Sequence, residues 1–197
     1  LLVLVFLSSQ SYALNLFETD DIYAITSVSL SDVSHDGSSI VFITSQADKK
    51  EDNFNNTLYF LDIKSGKKEV LLQSQGYKGL SFSSVKFSGD SKSIYFLSSG
   101  YKASGKNNAQ VWSLNLSNRI KRRLTNYEGN ISDYDISKDG STIAFIGNKK
   151  SEGQDKTRTP SPIVIDRYQF KRDYEGFLGN DRDHLFVFDI KSRIEEQ

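Results

Sequence analysis

The chain is 197 residues long, and its 25 Lys and Arg balance 25 Asp and Glu to a formal net charge of zero, so bulk electrostatics point to neither nucleic acid nor an anionic membrane. Apolar residues make up 37% and aromatic residues 12%, enough for a packed core and too apolar for generic disorder. The absence of Cys excludes disulfides, thiolate zinc sites, iron–sulfur clusters and a thiol nucleophile, and two His leave little for a transition metal.

Leu1 to Leu7 form an unbroken apolar run, followed by Ser8, Ser9, Gln10, Ser11, Tyr12 and Ala13. This order fits the apolar centre and small-x-small cleavage site of a secretory signal peptide. The expectation is a signal remnant over 1–13 with cleavage after Ala13, and a periplasmic or secreted mature protein. A buried first strand or helix is the alternative. The run is far shorter than the ~20 residues of a membrane span, and Met is absent even at position 1, so a basic start is expected upstream. A lead-in over 14–27 follows, with a short helix predicted at Phe17 to Ile25, where Glu18, Asp20 and Asp21 suit a first turn.

Beyond it the sequence repeats. Ser34 to Ile43, Ser88 to Leu97 and Ser137 to Ile146 share a Ser-x-Asp turn followed by Ile-x-Phe, and their Asp36, Asp90 and Asp139 are 54 and 49 positions apart. Asp accepts local backbone hydrogen bonds and the Gly that follows it in two copies tolerates positive φ, so each copy reads as a hairpin. Gly37 and Gly140 have no counterpart after Asp90, which predicts a different turn there. Each hairpin leads to an aromatic strand, Thr57 to Ile63, Gln110 to Leu116 and His184 to Ile190, then to a polar turn and a fourth run, Lys67 to Leu72, Ile120 to Leu124 and Arg193 to Gln197. The consecutive apolar residues of Ile40 to Ile43, Ile94 to Leu97 and Ile143 to Ile146 predict inner strands covered on both faces.

Four strands per period of roughly 40 to 50 residues is the requirement of a β-propeller blade, since one small sheet buries its faces only between neighbours. A β-sandwich with coincidental hairpins is the competing architecture. The predicted fold class is therefore all-β, a partial propeller of about three four-stranded blades after an N-terminal signal segment: blade 1 over 28–78, blade 2 over 79–128 and blade 3 over 129–197. A propeller closes with typically 4 to 8 blades, so the chain is expected to be a fragment of a longer protein. Asp36 to Asp62 is 26 residues and Asp90 to Asn115 is 25, whereas Asp139 to Asp189 is 50. Blade 3 thus carries an insertion, placed at 147–183, and insertions on repeat scaffolds often shape a binding surface.

On these residues the sequence resembles the N-terminal propeller of the prolyl oligopeptidase family of serine peptidases, nearest its acylaminoacyl-peptidase and dipeptidyl-peptidase-like members. The resemblance rests on Leu16 to Ile22 leading into Val33 to Phe42, on the repeated turns, and most specifically on Pro162 to Phe170, Gly176 to Leu178 and His184 to Asp189. The repeat alone is equally similar to the periplasmic propeller of the Tol system. The resemblance implies a propeller that restricts entry of short peptides to an α/β-hydrolase domain, where Ser, Asp and His cleave the amide. No Gly-x-Ser-x-Gly elbow occurs in this chain, so no catalytic residue is assigned, and the partners implied are peptide substrates and a hydrolase domain outside these residues.

Arg167, Tyr168, Arg172 and Tyr174 in the insertion are nominated for substrate binding, because fixed charge and rigid aromatic area suit a peptide carboxylate or carbonyl. Buried Tyr168 and Phe170 with solvated arginines is the plainer alternative. His35 and His184 are assigned structural positions. Asp181, Asp183 and His184 have ligand-type side chains, but a polar turn entering a strand accounts for them, so no metal and no cofactor are assigned. Arg119, Lys121, Arg122 and Arg123 read as a solvated outer strand rather than a nucleic-acid patch. Asn55, Asn115 and Asn130 begin Asn-x-Ser/Thr triplets.

Overall fold

Short apolar runs separated by Asp-centred turns cannot bury both faces of one sheet, and the chain solves this by stacking sheets. The computed structural model describes residues 17–74, 81–100, 108–148, 165, 168, 171–173, 176–177, 182–192 and 194–196. The signal-peptide expectation over 1–13 lies outside them. The predicted helix is a five-residue 3-10 helix, Thr19–Tyr23, opened by the Glu18 amide donating to Asp21 Oδ2 at 2.7 Å. It is pinned to the first sheet by Gln46 Nε2 donating to the Tyr23 carbonyl and by a Lys49–Asp20 ion pair.

The architecture is all-β and forms a partial β-propeller. The first sheet contains β1 (Thr26–Val33), β2 (Ser39–Asp48), β3 (Asn53–Asp62) and β4 (Lys68–Ser74). The second contains β5 (Ser83–Phe87), β6 (Ser93–Ser98), β7 (Gln110–Asn115) and β8 (Lys121–Arg123). In the third, β9 (Asn130–Ile136) and β10 (Thr142–Asn148) pair with β13 (Asp183–Asp189) and β14 (Glu195–Glu196), while β11 (Lys171–Arg172) and β12 (Gly176–Phe177) form a separate two-stranded hairpin. Pairing within the sheets is antiparallel and follows chain order, so successive connections alternate between two ends.

Among the described residues, two cores hold the stack together. Val41, Leu58 and Leu72 of the first sheet meet Val85, Ile94, Phe96 and Leu114 of the second. Leu97 and Val111, from the other face of the second sheet, meet Tyr134, Ile143, Phe145, Phe186 and Phe188 of the third. Only the middle inner strand matches the expectation of cover on both faces. In β2 the even positions Ile40 and Phe42 are half-buried, and in β10 Ile146 is exposed, because the outer faces of the first and third sheets have no described sheet against them.

The turn after Asp90 corrects the expectation of a different geometry. Ser91 donates its amide to the Ser88 carbonyl at 2.8 Å, as Gly37 does to Ser34 and Gly140 to Ser137. Its φ of 56° matches 69° at Gly37 and 70° at Gly140. A serine therefore occupies the left-handed position of an otherwise identical turn.

Candidate functional site

The two ends of the stack differ in chemistry. At one end lie the Ser-x-Asp turns and the β3–β4, β7–β8 and β13–β14 turns. The Ser34 hydroxyl donates to Asp36 Oδ1 at 2.7 Å and accepts the Ser39 amide at 2.9 Å, and Ser88 with Asp90 and Ser137 with Asp139 repeat the first bond at 2.6 Å. These bonds, led by the Ser34 hydroxyl and supported by the Ser38 amide and hydroxyl, lower Asp36 from 3.8 to about 2. Asp90 and Asp139 are lowered for the same reason, first by Ser88 and Ser137. Asp62, Asn115 and Asp189 close the outer turns in a parallel way, each accepting from Ser65, Ser117 or Ser192.

A cleft of 390 Å³ lies between the second and third turns, lined by Ser88, Gly89, Asp90, Tyr95, Lys138, Asp139 and Gly140. Its two carboxylates are already bound to their own turns, so the lining is structural. Burial pushes the Tyr95 hydroxyl up, with a smaller contribution from Asp90.

The opposite end carries the insertion. Asn148 pairs with Asp183 across β10 and β13, and Asn148 Nδ2 donates to Asp183 Oδ1 at 3.0 Å, closing the neck from which the intervening residues leave the sheet. Of the nominated residues, Tyr168 is fully exposed and Arg172 lies on β11, paired through its backbone with Gly176. Arg167 and Tyr174 fall outside the described residues. Tyr168 is therefore not the buried strand position of the plainer alternative.

Behind the neck is a buried polar clamp that the sequence did not single out. Gln110, only 2% exposed, donates from Nε2 to the Tyr127 and Gly129 carbonyls and accepts at Oε1 from the Thr125 hydroxyl and the Tyr127 amide. The Thr125 hydroxyl in turn accepts the Val111 amide at 3.0 Å. Tyr127 sits over Gly147, where an added Cβ would come within 2.6 Å of the ring, and its ring meets Phe145 edge-on and Phe186 at 4.9 Å. A lone Gln at the start of an aromatic strand carries no sequence signal for such a role; only the fold of the 123–130 link brings its partners to it.

The remaining candidates are placed as follows. His35 lies in the first Ser-x-Asp turn, its amide donating to Ser91 Oγ at 3.0 Å, and His184 is on β13 at the other end, its ring 6.4 Å from that of Phe186. Asp181 falls outside the described residues. Among the described residues no group of three or more His, Asp and Glu is arranged to hold a metal, and no helix is long and apolar enough to cross a membrane. Lys121, Arg122 and Arg123 form exposed β8, and Arg119 pairs with Glu69 of the first sheet. Asn55 Nδ2 donates to Asp48, Asn115 caps its turn, and Asn130 Oδ1 accepts the Ala109 amide.

No protein-family profile and no curated protein matches this sequence. Solved structures do match its fold. An acylaminoacyl peptidase in complex with Z-Gly-Gly-Phe-chloromethyl ketone superposes with a TM-score of 0.67 at 16% identity, over 89% of this chain and 25% of the peptidase. The Pyrococcus horikoshii acylaminoacyl peptidase gives 0.65 over the same shares at 16% identity. A TolB protein from Agrobacterium tumefaciens gives 0.52 at 18% identity, over 86% of this chain and 48% of that one. The fold is thus that of part of a β-propeller, and the chain spans about a quarter of the peptidases it superposes on.

Proposed function

We propose that this chain is the propeller portion of a prolyl oligopeptidase-like serine peptidase and limits peptide access to a catalytic α/β-hydrolase domain outside these residues. The observation that carries the reading is the closer superposition on acylaminoacyl peptidases, 0.67 against 0.52 for TolB at nearly equal coverage of this chain. In this reading the insertion end faces the incoming peptide, and Arg167, Tyr168, Arg172 and Tyr174 grip its carboxylate or carbonyls. Leu1 to Ala13 direct the protein out of the cytoplasm.

The coding sequence beyond residue 197 tests the assignment: further repeats, then a nucleophile elbow, an Asp and a His are expected. Closure of the propeller without them would instead make the protein a non-catalytic periplasmic scaffold of the Tol type, binding protein partners. In the full-length enzyme, Arg167→Ala and Arg172→Ala should each raise KM for short peptides by about ten-fold or more with unchanged thermal stability, given the ~1.5–3 kcal/mol of a charged hydrogen bond. Unchanged kinetics in both variants would remove the arginines from the site.

A further inference from the structure

Two residues before each turn serine, the three repeats carry Asp32, Lys86 and Asp135. Asp32 makes a bracket between sheets: Oδ1 accepts its own neighbour's amide, Val33, at 2.8 Å, and Oδ2 accepts the Phe87 amide of the second sheet at 2.7 Å. The Phe87 amide is available because the residue before it is Lys86, which has no carboxylate to occupy it. Lys86 reaches forward in its turn, donating from Nζ to Asp135 Oδ1 at 2.9 Å and to the Tyr134 carbonyl at 3.0 Å. Acid, base and acid therefore alternate, and the first two each link their sheet to the next.

Asp135 reproduces the first half of the Asp32 arrangement, its Oδ1 accepting the Ile136 amide at 3.0 Å. Among the described residues nothing donates to its Oδ2, and the side chain is 78% exposed. It stands beside Ala144 on the outer face of the third sheet, which also presents exposed Ile146, Leu185 and Val187. The turn serines record the same asymmetry: Ser34 and Ser88 are buried, whereas Ser137 is exposed.

We propose that this face receives a further four-stranded module of the same repeat, and that Asp135 Oδ2 accepts that module's backbone amide at the position equivalent to Phe87. The module carries a residue without a carboxylate at the position equivalent to Lys86. The inference rests on the chain being part of a larger propeller. A second copy of this chain does not fit, because its first sheet would present Val33 with the amide already held by Asp32 and would set two carboxylates against each other.

The test is hydrogen exchange on the full-length polypeptide that contains these residues, read at the amide directly before the serine of the fourth Ser-x-Asp turn. Asn retains the size of Asp and one acceptor but replaces Oδ2 with a donor. Asp135→Asn should accelerate exchange at that amide by about ten-fold or more and leave Phe87 unchanged, while Asp32→Asn should do the reverse. A fourth repeat whose amide is indifferent to Asp135→Asn would overturn the bracket and leave the propeller reading standing. A parent sequence without another repeat would overturn both. Concentration-dependent association of the 197-residue chain, abolished by Asp135→Asn, would assign the face to a second copy and also overturn the proposal.

Discussion

Ser91 and Arg119 occupy left-handed backbone positions, with φ of 56° and 60°, where the first repeat has Gly37 and Gly66 at 69° and 68°. A side chain in this region costs of the order of 1 kcal/mol relative to glycine, and both residues use theirs to reach back to the first sheet. Ser91 Oγ accepts the His35 amide at 3.0 Å, and the Arg119 guanidinium pairs with Glu69. The strain in the second repeat is thus exchanged for contacts between repeats. Ser91→Ala retains the strain and loses the bond, so urea unfolding should show a loss of about 1 kcal/mol, whereas Ser91→Gly relieves one as it loses the other and should stay near wild type. A larger loss for Gly than for Ala would show that the backbone is not strained. The missing glycine after Asp90 was plain in the sequence, but its consequence was not, because the compensating donor comes from a turn 56 residues away.

Strands were readable where chemistry is local. Asp62, Asn115 and Asp189 end β3, β7 and β13 because each carries a side-chain oxygen that captures the amides of the turn, a local bond that competes with continuing the ladder. Burial of the inner strands was less readable, since an apolar run specifies what a face tolerates and not whether a neighbour is present to cover it. Gln110 shows the limit at the level of a single element. Its position at the start of β7 was predicted, but its four bonds run to residues 125–129, which carry no periodicity of their own. Gln110→Leu leaves the Tyr127 amide and the Gly129 carbonyl in a buried setting without their partner, and should destabilise the protein by about 2–4 kcal/mol. Thermal unfolding of that variant, with β3 protection in hydrogen exchange as an internal control, checks that the damage is centred on the second and third sheets.

For the molecule as a whole, the repeated turns make acid the weak condition. Asp36, Asp90 and Asp139 are all lowered by hydroxyl and amide donors, as are Asp62 and Asp189 in the outer turns. A carboxylate lowered in the folded state contributes stability that is complete above its unfolded value and disappears as pH falls through its folded one. With Asp36 moved from 3.8 to about 2, stability should hold steady above pH ~5 and decline between about 4 and 2, by a modest amount because these carboxylates face solvent. Denaturant midpoints measured across that range check it; a midpoint already falling at pH 6 would place the sensitive groups elsewhere. The repeat that organises these turns was legible from Asp spacing alone. The end that carries the insertion was not, because the insertion follows no repeat and its nominated side chains cannot be ordered by periodicity.

The alternation of Asp32, Lys86 and Asp135 also constrains how such a chain can be shortened or lengthened by recombination. Excising the middle repeat would bring two acidic residues into register and leave the first with an Ile136 amide that Asp135 already holds. Excising or duplicating neighbouring repeats as a couple would preserve the complementary order. Among these three repeats, then, the acid–base order makes two neighbouring blades, rather than one, the unit that can be exchanged without setting like charges together.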